Sequence, residues 1–94
     1  MAQTYHLQVV AQDRTVFDGA VTSIIAPGEQ GYLGILRDHA PLLTTLGEGF
    51  LTVETAPNEM RVWKVRGGFL EALDNEVTLL VDEAEEAPVA APAA

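Results

Sequence analysis

Apolar and polar residues alternate along most of this chain, in runs too short for a helix. Residues 4–10, TYHLQVV, place Tyr5, Leu7 and Val9 on one face of a strand. Residues 14–19, RTVFDG, predict a second short strand closed by Asp18-Gly19, a strong turn pair. Residues 20–27, AVTSIIAP, read as a third, with Val21 and Ser23 alternating against Thr22 and Ile24 until Pro27 stops it. PGEQG is a loop, and residues 32–36, YLGIL, form a short strand interrupted by Gly34. RDHAP breaks regular structure, because Pro41 biases Ala40 away from the helical region.

Residues 42–47 and 49–55 predict two further strands around Gly47-Glu48-Gly49, followed by a turn at APNE. In MRVWKVR the alternation sets Arg61, Trp63 and Val65 against Val62, Lys64 and Arg66. Gly67-Gly68 is expected to turn the chain, leaving FLEALD, a turn residue Asn75, and EVTLLVD. No segment holds a helical period over about 11 residues. About nine strands, with turn signals every 8–12 residues or so, predict an all-β sandwich or flattened barrel.

The segment from Asp82 to the end, DEAEEAPVAAPAA, differs in kind. It has four acids, no base, and Val89 as its one larger apolar residue after the acids. Too little apolar surface is available there to offset ordering entropy, so it is expected to be disordered. The domain is thus expected over residues 1–83, with a flexible tail at 84–94.

Composition narrows the function. The net charge is −9, and −5 remains over residues 1–81, where ten acids face five bases. Such a chain repels phosphate backbones and anionic lipid, opposes self-association, and favours a neutral or basic partner. With no cysteine, thiolate chemistry and Cys-based zinc sites are excluded. The N-terminus has neither the basic nor the long apolar region of a secretory signal, and no apolar run approaches the roughly 20 residues of a membrane helix.

Candidate chemistry is sparse. His6 and His39 have no second ligand at a zinc-like spacing, and Asp38 beside His39 lacks a nucleophile to complete a triad. Ser23 is the one serine and sits outside any Gly-x-Ser-x-Gly elbow. Gly28, Gly31 and Gly34 are not followed by the helix and lysine of a phosphate loop. Lys64 lies inside a strand rather than at the hairpin tip of a biotinyl or lipoyl carrier. No cofactor, metal or catalytic residue is expected. HAPLLTTLGEGF, by contrast, gathers Pro41, Leu42, Leu43, Leu46 and Phe50, and adjacent Leu42 and Leu43 must face opposite ways in a strand. One of them is expected to belong to a docking patch.

The order TYHLQVV, VFDG, APGEQGYLGIL, HAPLLTTL, GGFLE, EVTLLVDEA resembles the N-terminal β-domain of the epsilon subunit of bacterial F-type ATP synthases, the delta subunit in mitochondria. The resemblance covers about residues 4–84. It implies a ten-stranded flattened β-sandwich or barrel and a non-catalytic place at the foot of the rotor stalk. That place touches the gamma subunit and the c-ring, at the cytoplasmic face of the bacterial inner membrane. On this mapping Val10, Ala11, His39, Ala40, Pro41, Leu42, Leu43 and Thr44 fall where the family meets gamma. Glu29, Gln30, Gly31, Tyr32 and Leu33 fall where it meets the polar loops of the c-ring. Asp38 stands where the family usually has Gly, and Tyr32 where relatives often carry an acidic or polar residue. Many relatives continue into a helical hairpin. Pro88 and Pro92 oppose a long helix here, so a natural short form without hairpin inhibition is expected. A generic β-sandwich interaction module is the alternative.

Overall fold

A computed structural model describes residues 3–56 and 59–89. Those residues form eight strands: β1 Tyr5–Val10, β2 Thr15–Val21, β3 Ser23–Gly28, β4 Gly31–Ile35, β5 Leu42–Thr45, β6 Glu48–Ala56, β7 Glu59–Leu73 and β8 Glu76–Ala87. They hydrogen-bond in the order β2-β1-β8-β7-β6-β3-β4, with β5 also on β7. The path is open, ending on β2 and β4. All neighbours are antiparallel except β1 and β8, which run parallel.

The sheet makes two layers because β7 and β8 each run through both. Residues 69–72 of β7 pair with β5, and residues 76–80 of β8 pair with β1. Residues 59–66 of β7 pair with β6, and residues 83–87 of β8 continue alongside. One layer is therefore β2, β1 and β5 with the inner halves of the β7–β8 hairpin. The other is β4, β3 and β6 with its outer halves. The layers meet over Leu7, Val9, Ile24, Leu51, Val53, Trp63, Leu70 and Leu79, all buried. Phe17 of β2 stands edge-on to Trp63 of β7 at 5.7 Å between centroids, and the Tyr5 hydroxyl donates to the Ile35 carbonyl at 2.6 Å. Both contacts cross from layer to layer.

The alternation of Tyr5, Leu7 and Val9 is as expected, and so is that of Trp63 and Val65. Other expectations need correction. Among the described residues there are eight strands, not the nine or so that alternation predicts.

Asp18-Gly19 is not a turn. Both residues lie in β2, paired with Gln8 and Leu7, and Asp18 accepts from His6 Nε2 at 2.6 Å. The chain instead crosses between layers at Thr22, whose backbone N–H and hydroxyl both bond Glu54. This crossing makes Val21 and Ile24 both buried and breaks the expected alternation. Pro27 does not end β3, which reaches Gly28, because a proline opposite Tyr32 still offers its carbonyl, taken by Gly47 N–H at 2.9 Å.

Gly67-Gly68 does not reverse the chain. It bends one continuous strand, at φ 66° and 115°, where a Cβ on Gly68 would collide with the Leu80 carbonyl oxygen.

The acidic segment is not disordered at its start. β8 carries it to Ala87, with Glu83, Glu85 and Glu86 opposite Arg66, Lys64 and Trp63. Arg61 grips Glu86 through two bonds of 3.0 Å and lies over the Trp63 ring at 4.7 Å, and Arg66 meets Glu83 at 2.8 Å. β8 thus continues past residue 83 to Ala87. The expected disorder of 90–94 and part of the APNE turn, residues 57–58, lie outside the described residues.

Candidate docking surface

The outward side of the first layer can be built row by row from strand register. Thr45 of β5 opposes Phe69 of β7, Phe69 opposes Leu80 of β8, and Leu80 opposes Val10 of β1. Phe69 and Leu80 are 55% and 52% exposed, so two neighbouring strands show an apolar row to solvent, and half-buried Val10 extends it onto a third. The next row is Leu43, Glu71, Thr78, Gln8 and Asp18. The one after it is Leu73, Glu76, His6 and Ala20. Leu43, 70% exposed, is a diagonal neighbour of Phe69, within reach of long side chains, and Leu73 is diagonal to Leu43 in the row beyond. The charged groups standing among them are Asp18, Glu71 and Glu76, and no Lys or Arg occupies these rows.

His6 is the one group here that can become positive. Its Nε2 lies 2.6 Å from Asp18 and its Nδ1 3.4 Å from Glu76, tying β1 to strands on both sides. Those two carboxylates hold its pKa above the ordinary histidine value, Asp18 more than Glu76.

The loop 36–41 adjoins this face. Leu36, His39, Ala40 and Pro41 are all exposed. His39 N–H closes a turn onto the Leu36 carbonyl at 3.2 Å, and its ring Nδ1 lies 2.6 Å from the Ala40 carbonyl oxygen. Asp38 sits at φ 65°.

Of the residues mapped to a gamma contact, the structure therefore gathers Val10 and Leu43 on one face, with His39, Ala40 and Pro41 at its border. Ala11 is buried at 6% exposure and offers no side chain. Leu42 packs on the core and Thr44 is half-buried, so Leu42 and Leu43 do divide as expected. Two members of the expected apolar patch fall away. Leu46 is buried, and Phe50 shows on the outward side of the other layer, beside Lys64. Phe69, Leu73 and Leu80 were missed. Adjacent Leu79 and Leu80 carry the same signal as Leu42 and Leu43, one buried and one exposed.

The second candidate segment is the β3–β4 hairpin. Gly28 opposes Gly31, which leaves Glu29 and Gln30 as its exposed two-residue tip. Leu33 packs against the core. Tyr32 is exposed, but its hydroxyl accepts the Phe50 N–H at 3.0 Å. Gly49 makes room for that brace, since a Cβ there would strike the Tyr32 hydroxyl. Glu29 N–H donates to the Thr45 carbonyl at 3.0 Å, so the hairpin is fixed to the end of β5. An open depression of about 410 Å³ lies between them.

Ser23 is half-buried in β3, and the bonds of His6 and His39 go to other partners. Among the described residues no group of three or more His, Asp or Glu side chains is placed to hold a metal ion, and no helix is long and apolar enough to cross a membrane.

Comparison with known proteins follows the same outline. Residues 4–87 match the model of a family described as ATP synthase, Delta/Epsilon chain, beta-sandwich domain. The ATP synthase epsilon chain of Pelotomaculum thermopropionicum is 41% identical over 85 residues, which cover 90% of this chain and 63% of the relative. That of Synechococcus sp. is 45% identical over 82 residues, covering 87% and 59%. The chain thus spans about three-fifths of the length of these curated relatives. A chain in the cryo-EM structure of the Euglena gracilis mitochondrial ATP synthase, OSCP/F1/c-ring, superposes with a TM-score of 0.82 at 26% identity, over 92% of this chain and 54% of that one. A chain of the Tetrahymena thermophila mitochondrial ATP synthase central stalk/c-ring shares the fold, with a TM-score of 0.72 at 20% identity over 88% and 66%.

Proposed function

As this chain belongs to the ATP synthase delta/epsilon β-sandwich family, we propose that it is a non-catalytic subunit of the central stalk of an F-type ATP synthase. In that role it couples rotation to proton transport by docking on the gamma subunit and the c-ring. The observation that carries this reading is the apolar row Phe69–Leu80–Val10, with Leu43 beside it and Leu73 beyond, in which Phe69, Leu80, Leu43 and Leu73 are exposed on an otherwise acidic chain. An exposed apolar band of that kind fits a partner better than it fits water. The gamma contact is assigned to this face and to His39, Ala40 and Pro41 at its border. Ala11, Leu42 and Thr44 serve it from behind, by holding the layer.

The c-ring contact is assigned to the β3–β4 hairpin, with Glu29 and Gln30 offered to polar loops and Gly31, Tyr32 and Leu33 bracing them. The neighbour from Euglena gracilis is a chain of an assembly that contains a c-ring, which supports the pairing. Counting β7 and β8 once in each layer, we read the fold as ten strand segments in a flattened sandwich. A bacterial stalk subunit of this kind would sit peripherally at the cytoplasmic face of the inner membrane.

Co-elution with a gamma-containing catalytic head tests the proposal. Wild type is expected to co-elute at micromolar concentration. Leu43→Glu and Phe69→Glu each remove roughly 1.5–3 kcal/mol of apolar burial, enough to weaken docking about tenfold or more. Ile25→Glu, on the outward side of the other layer, should bind as wild type. A folded wild type that does not co-elute would leave only a generic interaction module with another partner.

A further inference from the structure

Asp38 and Asn75 hold left-handed backbone without being glycine and bond each other across 37 positions, once from backbone to side chain and once from side chain to side chain. Asp38 has φ 65° and Asn75 φ 62°. Asp38 N–H donates to Asn75 Oδ1 at 2.6 Å, and Asn75 Nδ2 donates to Asp38 Oδ1 at 2.9 Å. Glycine is the natural occupant of both places. Asn75 follows Asp74, itself at φ 51°, in the two-residue turn that joins Leu73 of β7 to Glu76 of β8. Such a turn needs positive φ at both central positions and favours glycine at the second. A glycine at either place would spare the strain and lose the bond from Asn75 Nδ2 to Asp38 Oδ1.

We infer that Asn75 is a positioning residue for docking: its amide clasps Asp38 and so sets the pose of His39, Ala40 and Pro41 against the apolar face. The inference rests on the docking reading of that face. Asn75 is itself anchored, because its carbonyl accepts His6 N–H at 3.0 Å from β1. Its side chain therefore projects from a fixed turn rather than from a mobile tip. His39 and Asn75 line one small cavity of about 10 Å³ together with Leu36 and Leu73, so the clasp, the loop and the edge of the docking face are continuous. The loop makes few other fixed contacts of its own. The His39–Leu36 turn bond is internal to it. A loop exposed along its length has little burial to hold one pose, and unheld segments open at low free energy.

The test uses the full chain, with amide hydrogen exchange and affinity for the gamma-containing catalytic head measured on the same variants. Asn75→Gly and Asp38→Gly keep the backbone shape; the first removes both bonds, and the second removes only the one to Asp38 Oδ1, because the backbone N–H of residue 38 remains. Asn75→Gly is expected to leave the melting temperature little changed, speed exchange at His39 and Ala40, and weaken docking about tenfold, with Asp38→Gly doing the same to a smaller degree. The double variant should be no weaker than Asn75→Gly alone, because that substitution already removes both bonds. Asp38→Asn keeps an acceptor oxygen facing the Asn75 amide and should bind as wild type. Wild-type affinity in Asn75→Gly, or faster exchange across the whole sheet instead of the loop, overturns the inference. If the unsubstituted chain itself fails to bind, the docking reading falls and this inference with it. If it binds and Asn75→Gly binds equally, only this inference falls.

Discussion

Adjacent residues in this chain carry opposite duties, and substitution should separate them. Leu79 is fully buried and Leu80 is 52% exposed. Leu79→Ala is expected to cost about 2–5 kcal/mol of stability by opening a cavity. Leu80→Ala should cost little stability in urea denaturation and weaken docking instead.

Tyr5 and His6 show the same division in their response to pH. Burial pushes the Tyr5 phenol up to about 12. The folded state then holds this proton more tightly than the unfolded chain does. Its contribution is complete below an unfolded value of about 10 and is lost as pH rises from there toward the folded value. Tyr5→Phe should flatten that alkaline loss, read by denaturation at several pH values through this window. His6 is also raised, by its bonds to Asp18 and then Glu76. Its contribution is complete below an unfolded pKa of about 6.5 and fades as pH rises through the folded value. The ring is well exposed, so the expected change is small.

Among the elements, β7 decides the architecture, because one bend at Gly67-Gly68 lets it serve both layers. Gly68→Ala would bring a Cβ onto the Leu80 carbonyl at a φ of 115°, and is expected to cost roughly 1–3 kcal/mol or more in thermal denaturation. The pair was legible in the sequence as a special backbone site but not as a bend. Two glycines signal freedom of φ, and whether the chain reverses depends on partners far away in sequence. Asp18-Gly19 misleads for the same reason, since His6 and the β1 ladder keep it extended. Local alternation, in contrast, gave the inward faces of β1 and of Trp63 and Val65 correctly, because side-chain period is a local property. The division of Leu42 from Leu43 was legible on the same ground. The row Phe69–Leu80–Val10 was not, because it exists only through the register of three strands distant in sequence. The acids after Asp82 looked solvated in composition, yet Arg61 and Arg66 on β7 receive two of them.

Over the whole molecule, charge is sorted by face. Arg61, Lys64 and Arg66 all lie in the part of β7 that belongs to the second layer, and Arg14 and Arg37 lie outside the strands. The proposed docking side of the first layer keeps Asp18, Glu71 and Glu76 around its apolar row. A partner that meets it should present an apolar centre with basic residues at the rim. Glu71→Lys, in the row of Leu43, is therefore expected to slow association and to reduce its sensitivity to salt, as read by stopped-flow mixing over a range of ionic strength.

The most direct measurement is amide hydrogen exchange on the full chain, free and bound to the gamma-containing catalytic head. The account predicts new protection in β5, in residues 69–73 of β7, in residues 76–81 of β8 and in the loop 36–41, with Ile25 and Phe50 unchanged. Protection centred on Ile25 and Phe50, with β5 and the loop unchanged, would contradict it and put the docking face on the other layer.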